Sequence, residues 1–112
     1  NVQIFGTKKS FDSKKAERYF KERGIKYQFV DMKEKGLSKG EFNSVCQAVG
    51  GYEKLIDPKC KDKNLLALVQ YLSEEDKKEK ILENQKIIRT PIVRNGKQAT
   101  VGYEPDVWKD WK

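Results

Sequence analysis

"VQIFGTKKSFDSKKAERYFKERGIKYQFVD", residues 2–31, changes its hydrophobic period twice. Val2 to Phe5 is a short apolar run with the length of a buried strand. Ala16, Tyr19 and Phe20 then recur at helical spacing, with Arg23 next in the series. This spacing predicts a helix from about Ser13 to Arg23, closed by Gly24 as a left-handed cap. "IKYQFVD", residues 25–31, reads as a second strand. Strand, helix, strand within this span is a βαβ unit, so residues 2–5 and 27–31 should pair in parallel through a right-handed crossover. The junction of strand and helix holds Gly6, Lys8, Lys9 and the hydroxyls of Ser10 and Ser13. A junction of this kind either binds an anion on free helix N–H groups or activates a nucleophile.

Beyond this unit the middle of the chain is helical. Ser38 and Glu41 form a capping box, and Leu37 can pack on Phe42 as a hydrophobic staple. Phe42, Val45, Cys46 and Val49 follow as one apolar stripe until Gly50-Gly51 stops the helix. "YEKLID" reads as a single helical turn and "PKCKDK" as a charged loop. Leu65, Leu66, Leu68, Val69 and Leu72 mark another helix. Ser73 with Asp76 caps the next, "EEDKKEKILEN", whose acids gather at its amino end as the dipole favours. In "TPIVRNGKQATVG", Ile92-Val93 and Ala99–Val101 flank an Asn95-Gly96 turn, a hairpin signal. Pro105 then opens a short closing helix with Val107, Trp108 and Trp111 as its apolar face. The predicted order is β-α-β-α-α-α-β-β-α.

The chain has 112 residues, which fits a single domain over 1–112. It contains no histidine, so Ser-His and Cys-His catalysis are excluded by inventory. Its two cysteines, Cys46 and Cys60, do not suffice for a metal site. A disulfide between them is not expected in a reducing compartment. No apolar run reaches the roughly 18 residues of a membrane span, and no signal-peptide pattern opens the chain. A cytoplasmic monomer is therefore expected. The formal charge is +7, and residues 1–64 carry 15 basic against 9 acidic side chains. This field suits a small anion or an acidic protein surface. Direct nucleic-acid binding is not expected, because acids are interleaved among the bases. The same lysines would equally serve to solvate exposed helix faces.

"IFGTKKSFDSKKA", "RTPIV" and "VGYEPDVW", in that order, resemble the ArsC/Spx family of arsenate reductase-related proteins. The resemblance covers nearly the whole chain. It implies a thioredoxin-like α/β fold: a four-stranded mixed sheet, a βαβ half followed by a ββα half, with an all-helical insertion between them. In that family the loop after the first strand carries a nucleophilic cysteine, sometimes followed by a second. By this resemblance the first position is Ser10 and the optional second is Ser13. A thiolate at a helix amino terminus is stabilised by N–H groups and cations, and its pKa falls below about 8.5. A serine hydroxyl does not ionise in the same surroundings, forms no mixed disulfide and has no histidine here to deprotonate it. The family's redox step is thus chemically closed at Ser10. The serine is either a natural loss of the thiol or an engineered replacement of a native cysteine.

The resemblance assigns further roles. Lys8 and Lys9, with Lys59 in place of a family arginine and Arg89 two residues before the proline, are the candidate anion-binding cations. A further arginine that arsenate reductases carry after the second hairpin strand is missing near Gly102. Thr90-Pro91 corresponds to the family's cis-proline beside the active loop. From the residues alone, Cys46 sits on an apolar stripe and reads as core. Cys60, between Lys59 and Lys61, is the weaker candidate for a reactive thiol, and the resemblance implies that it faces Ser10. No bound cofactor is expected; glutathione or a dithiol protein would serve as reductant only where a thiol is present. The partners implied are a small oxyanion or a thiol partner. The competing role is that of an Spx-like regulator that contacts RNA polymerase.

Overall fold

A computed structural model describes residues 2–111. Strand β1 (Val2–Gly6) leads to helix α1 (Phe11–Glu22), strand β2 (Tyr27–Asp31) and helix α2 (Lys39–Val49). A 3-10 turn at Tyr52–Leu55, helices α3 (Lys63–Tyr71) and α4 (Glu74–Glu83) and a second 3-10 turn at Gln85–Ile87 form the helical middle. Strands β3 (Ile92–Asn95) and β4 (Gln98–Val101) and helix α5 (Pro105–Trp108) complete the chain. The four strands form one sheet in the order β2-β1-β3-β4. β1 runs parallel to β2, with Val2 opposite Tyr27, and antiparallel to β3, with Phe5 opposite Ile92. The expected βαβ pairing and mixed sheet are both present.

The sheet divides the apolar side chains between two cores. Ile4 and Val93 join Ala16, Tyr19 and Phe20 of α1 and Trp108 of α5 on one face. Phe5 and Ile92 join Phe42 and Val45 of α2, Leu55, Ile81 and Ile87 on the other. The alternation along β1 is the period-2 geometry of a strand buried on both faces. The Trp108 indole Nε1–H donates to Thr100 Oγ1 at 2.7 Å. Its ring also lies 5.2 Å from Tyr19 and 5.1 Å from Phe20, so the closing helix is fixed by one directional bond and aromatic contacts.

Local capping chemistry sets the element ends. The Ser38–Glu41 box is complete: Glu41 N–H donates to Ser38 Oγ and Ser38 N–H to Glu41 Oε1. Helix α1 ends in a Schellman motif, with Gly24 N–H on Lys21 O and Ile25 N–H on Phe20 O, and Gly24 at φ +68°. That cap consumes the Ile25 N–H, and β2 therefore starts at Tyr27, two residues later than the expected Ile25. The hairpin turn is also shifted. Asn95 still pairs with Gln98, so the two turn residues are Gly96-Lys97 and not Asn95-Gly96. Gly96, at φ +62°, takes the first central position, where a left-handed residue matches strand twist. Val107, expected on the apolar face of α5, is 43% exposed, because this single helical turn buries only Trp108 fully.

One side chain, Gln85, clasps the helical middle to the loop that follows β2. Gln85 Oε1 accepts from Leu37 N–H at 2.7 Å, and its Nε2–H donates to Leu37 O at 2.8 Å and Leu82 O at 3.3 Å. Gly36, at φ +67°, has no Cβ to collide with this amide. Leu37 is buried, so loss of the clasp strands its backbone groups. Gln85→Ala should lower stability by about 1–3 kcal/mol, and Gln85→Glu, which turns a carboxylate oxygen toward the Leu37 and Leu82 carbonyls, should not restore it. Urea midpoints check this; an unchanged midpoint for Gln85→Ala would show that the clasp contributes nothing.

Candidate functional site

The loop between β1 and α1 is closed on itself by two serines. Ser10 N–H donates to Thr7 O at 3.2 Å, making a tight turn, and Ser10 takes an extended conformation as the N-cap of α1. Its Oγ accepts from Ser13 N–H at 3.2 Å. Ser13, fully buried, returns the link: its Oγ accepts from Thr7 N–H at 3.3 Å. Gly6 is required here because a Cβ would overlap the Ser13 hydroxyl. The helix thus begins at Phe11, not at about Ser13, because Ser10 supplies the cap. The N–H groups of Phe11 and Asp12, at the first two helical positions, have no partner within the helix. They are the groups an anion would meet, although the Asp12 carboxylate in the first turn already complements the dipole.

The expected cations are all exposed. Lys8 and Lys9 are exposed on the turn itself, and Lys59 is exposed on the loop after Pro58. Arg89 is exposed; its backbone N–H donates to Leu55 O at 2.7 Å, and its Nη2 would lie 3.7 Å from a Cβ at Gly102. Among the described residues these four side chains form no ion pair with a carboxylate. The Thr90-Pro91 peptide is cis, and Pro91 is buried with its carbonyl accepting from Gly102 N–H at 2.8 Å.

Thr7 and Thr90 together line an open cleft of about 650 Å³, beside the carboxyl ends of the parallel strands. Lys33, Lys35, Asp57 and Lys86 also line it, and none of these figured among the expected site residues. The signal that could have found them is topological. "DMKEKG" directly follows the second parallel strand, and open α/β sheets bind ligands beyond the carboxyl ends of their strands.

Both cysteines are free and buried. Cys46 lies in the core under α2, and burial pushes its thiol pKa up, with Lys78 opposing. Cys60, considered as a reactive loop thiol, instead belongs to the same core, and its Sγ–H donates to Lys86 O at 3.8 Å. The turn that places it is built by Asp57, whose Oδ1 accepts from Lys59 N–H and whose carbonyl accepts from Cys60 N–H. Asp62 caps α3 through Leu65 N–H and pairs with Lys86 at 3.0 Å. Those two partners, Leu65 N–H first, hold its carboxyl below the usual range.

A βαβ half and a ββα half around one mixed sheet, with helices inserted between them, define a thioredoxin-like α/β protein. The ArsC family model matches residues 5–111, and the chain belongs to the ArsC family. Among solved structures it is similar to the arsenate reductase from Vibrio cholerae, at 25% identity and TM-score 0.81, covering 95% of this chain and 92% of that one. A candidate ArsC-family-related protein from Bacteroides fragilis superposes with TM-score 0.86 at 18% identity, covering 99% and 97%. A candidate arsenate reductase from Yersinia pestis gives TM-score 0.84 at 22% identity, covering 98% and 99%. No curated protein sequence matches the chain significantly. Among the described residues no helix is long and apolar enough to cross a membrane.

The placement of the thiols has a direct consequence. In the folded chain iodoacetamide should modify Cys46 and Cys60 much more slowly than a free cysteine. Cys46 should need a pH above the ordinary thiol range, because its thiolate forms later. Mass-spectrometric assignment of labelled residues, with and without urea, tests this; rapid native labelling of either residue would contradict the packing.

Proposed function

We propose that this ArsC-family chain keeps the fold and loop of a thiol-dependent reductase while lacking its redox step, and that the loop serves as an oxyanion-binding shell. The reading takes Ser10 as the position of the family's nucleophilic cysteine and Ser13 as the position of the optional second one. One observation carries it: the Ser10 oxygen sits at the N-cap of α1, where a thiolate would be stabilised, and both cysteines are buried in the core. A hydroxyl at that point accepts a backbone hydrogen bond but neither ionises nor forms a sulfur adduct. Lys8, Lys9, Lys59 and Arg89 supply mobile positive charge, and the Phe11 and Asp12 N–H groups supply fixed donors. A binding role of the Spx kind, with RNA polymerase as partner, is the second reading; the positive first half of the chain supports it, whereas the missing thiol removes the Spx redox switch as well.

The test has two arms. Unmodified protein should show no glutathione-dependent arsenate reduction, and sulfate or arsenate should shift NMR signals of residues 8–14. Ser10→Cys should create a thiol whose labelling pKa lies below the roughly 8.5 of free cysteine, since helix N–H groups and nearby lysines favour the thiolate. Turnover by the unmodified chain would overturn the redox-silent reading. A Ser10→Cys thiol with an ordinary pKa would show that the loop is turn chemistry and not a preserved shell.

A further inference from the structure

Helix α1 presents a second charged surface, away from the loop at its start. Phe11, Lys15, Arg18 and Glu22 lie at i, i+4, i+7 and i+11 and share its solvent face. Phe11 is 83% exposed, although an aromatic side chain is costly to leave in water. Residues 8–26 carry eight cations against Asp12, Glu17 and Glu22. Two of those cations are held in place. The Arg23 guanidinium stacks 3.7 Å from the Tyr19 ring centroid and donates through Nη1 to Tyr19 O at 3.2 Å. Lys15 Nζ lies 5.6 Å from the Tyr103 ring centroid. Between α1 and the start of α5 these groups, with Arg18, Glu22 and Pro105, line a groove of about 340 Å³.

We infer that this groove and Phe11 form a docking surface for an acidic protein segment, with carboxylates meeting Lys15, Arg18 and Arg23 and an apolar side chain covering Phe11. Lys15 and Arg23 are pre-positioned by the rings, so less of their side-chain freedom is lost on binding. Arg23 has used one of its five N–H donors on Tyr19 O, leaving its fork for a carboxylate. Arg18 is held only by an exposed contact of 3.9 Å to Glu22, and such a pair exchanges readily for a better partner.

Charge pattern and ring cover choose among anionic partners. Glu22 lies within the groove and Glu104 beside it, so a continuous phosphate backbone would meet repulsion that single, spaced carboxylates avoid. Arg23 and Lys15 already lie over Tyr19 and Tyr103, so of the three rings at this surface Phe11 alone stands open to a stacking base, too few for a run of stacked bases. A lipid surface would find one protruding apolar residue, Phe11, because the apolar face of α1 is consumed by the core. An aromatic anchor beside cations is the composition of a protein-binding centre. The inference does not depend on the reading of Ser10.

The experiment titrates the full chain with a short glutamate-rich peptide carrying one central leucine, read by NMR shifts and by affinity. Shifts should cluster at Phe11, Lys15, Arg18, Arg23 and Tyr103. Lys15→Glu with Arg18→Glu should weaken binding at least about fivefold, as reversal of contacting charges does. Phe11→Ser should weaken it independently of salt. Lys63→Glu with Lys97→Glu, on α3 and the hairpin turn, makes the same change in net charge and should leave affinity nearly unchanged. Equal loss in the two charge-reversed pairs, or no peptide binding, would overturn the proposal. So would tighter binding, through the same residues, of a thymidine oligonucleotide or of phosphatidylserine-containing vesicles.

Discussion

Burial of β1 on both faces is the constraint from which the rest of the structure follows. Val2 and Ile4 point into the core under α1, while Phe5 points into the core under α2. One five-residue strand is therefore shared by two cores, with a parallel partner on one edge and an antiparallel partner on the other. The chain leaving β1 must turn at once to cover the Ile4 side, and Gly6 to Ser10 is all the length available. That brevity is why the loop is so fully bonded. Thr7, Ser10 and Ser13 exchange hydrogen bonds within a few residues, and Gly6 cedes the room that Ser13 needs.

The closed loop gives the two serines different standing. Ser13 is part of the wall: fully buried, it satisfies a backbone N–H that would otherwise be stranded. Ser10 is half-exposed, and its oxygen stands at the positive end of the α1 dipole. Under the proposed reading, a thiol at the second position would be chemistry hidden in the wall, whereas a thiol at the first would meet solvent. The cleft beside Thr7 and Thr90 owes its shape to a different fastening. Gln85 clasps Leu37 across 48 residues of sequence and so sets where Lys35 and Lys86 stand along its rim.

Much of the fold was legible because its signals are local. Helix spacing in α1 and α2, the Ser38–Glu41 box, the Gly24 and Gly50 caps and the Gly96 turn each depend on residues a few positions apart. The misplacements were local as well. β2 lost Ile25 to the cap of α1, and the hairpin turn moved by one residue because Asn95 completes the ladder. Propensity cannot decide between two bonds that compete for one N–H; geometry does. The candidate site was legible only in part, since Ser10 and Ser13 were picked from resemblance and their mutual bonding was not.

By itself the sequence determined the order of elements, the family resemblance and the absence of histidine, because these need only composition, periodicity and ordered motifs. Tertiary structure alone decided that Cys60 is buried in the core, that Lys33, Lys35 and Lys86 share a cleft with Thr7 and Thr90, and that Arg23 and Lys15 lie against aromatic rings. The reason is physical. Exposure and proximity arise from contacts between distant segments, and a charged neighbour in sequence says nothing of whether a side chain turns toward solvent or into the core.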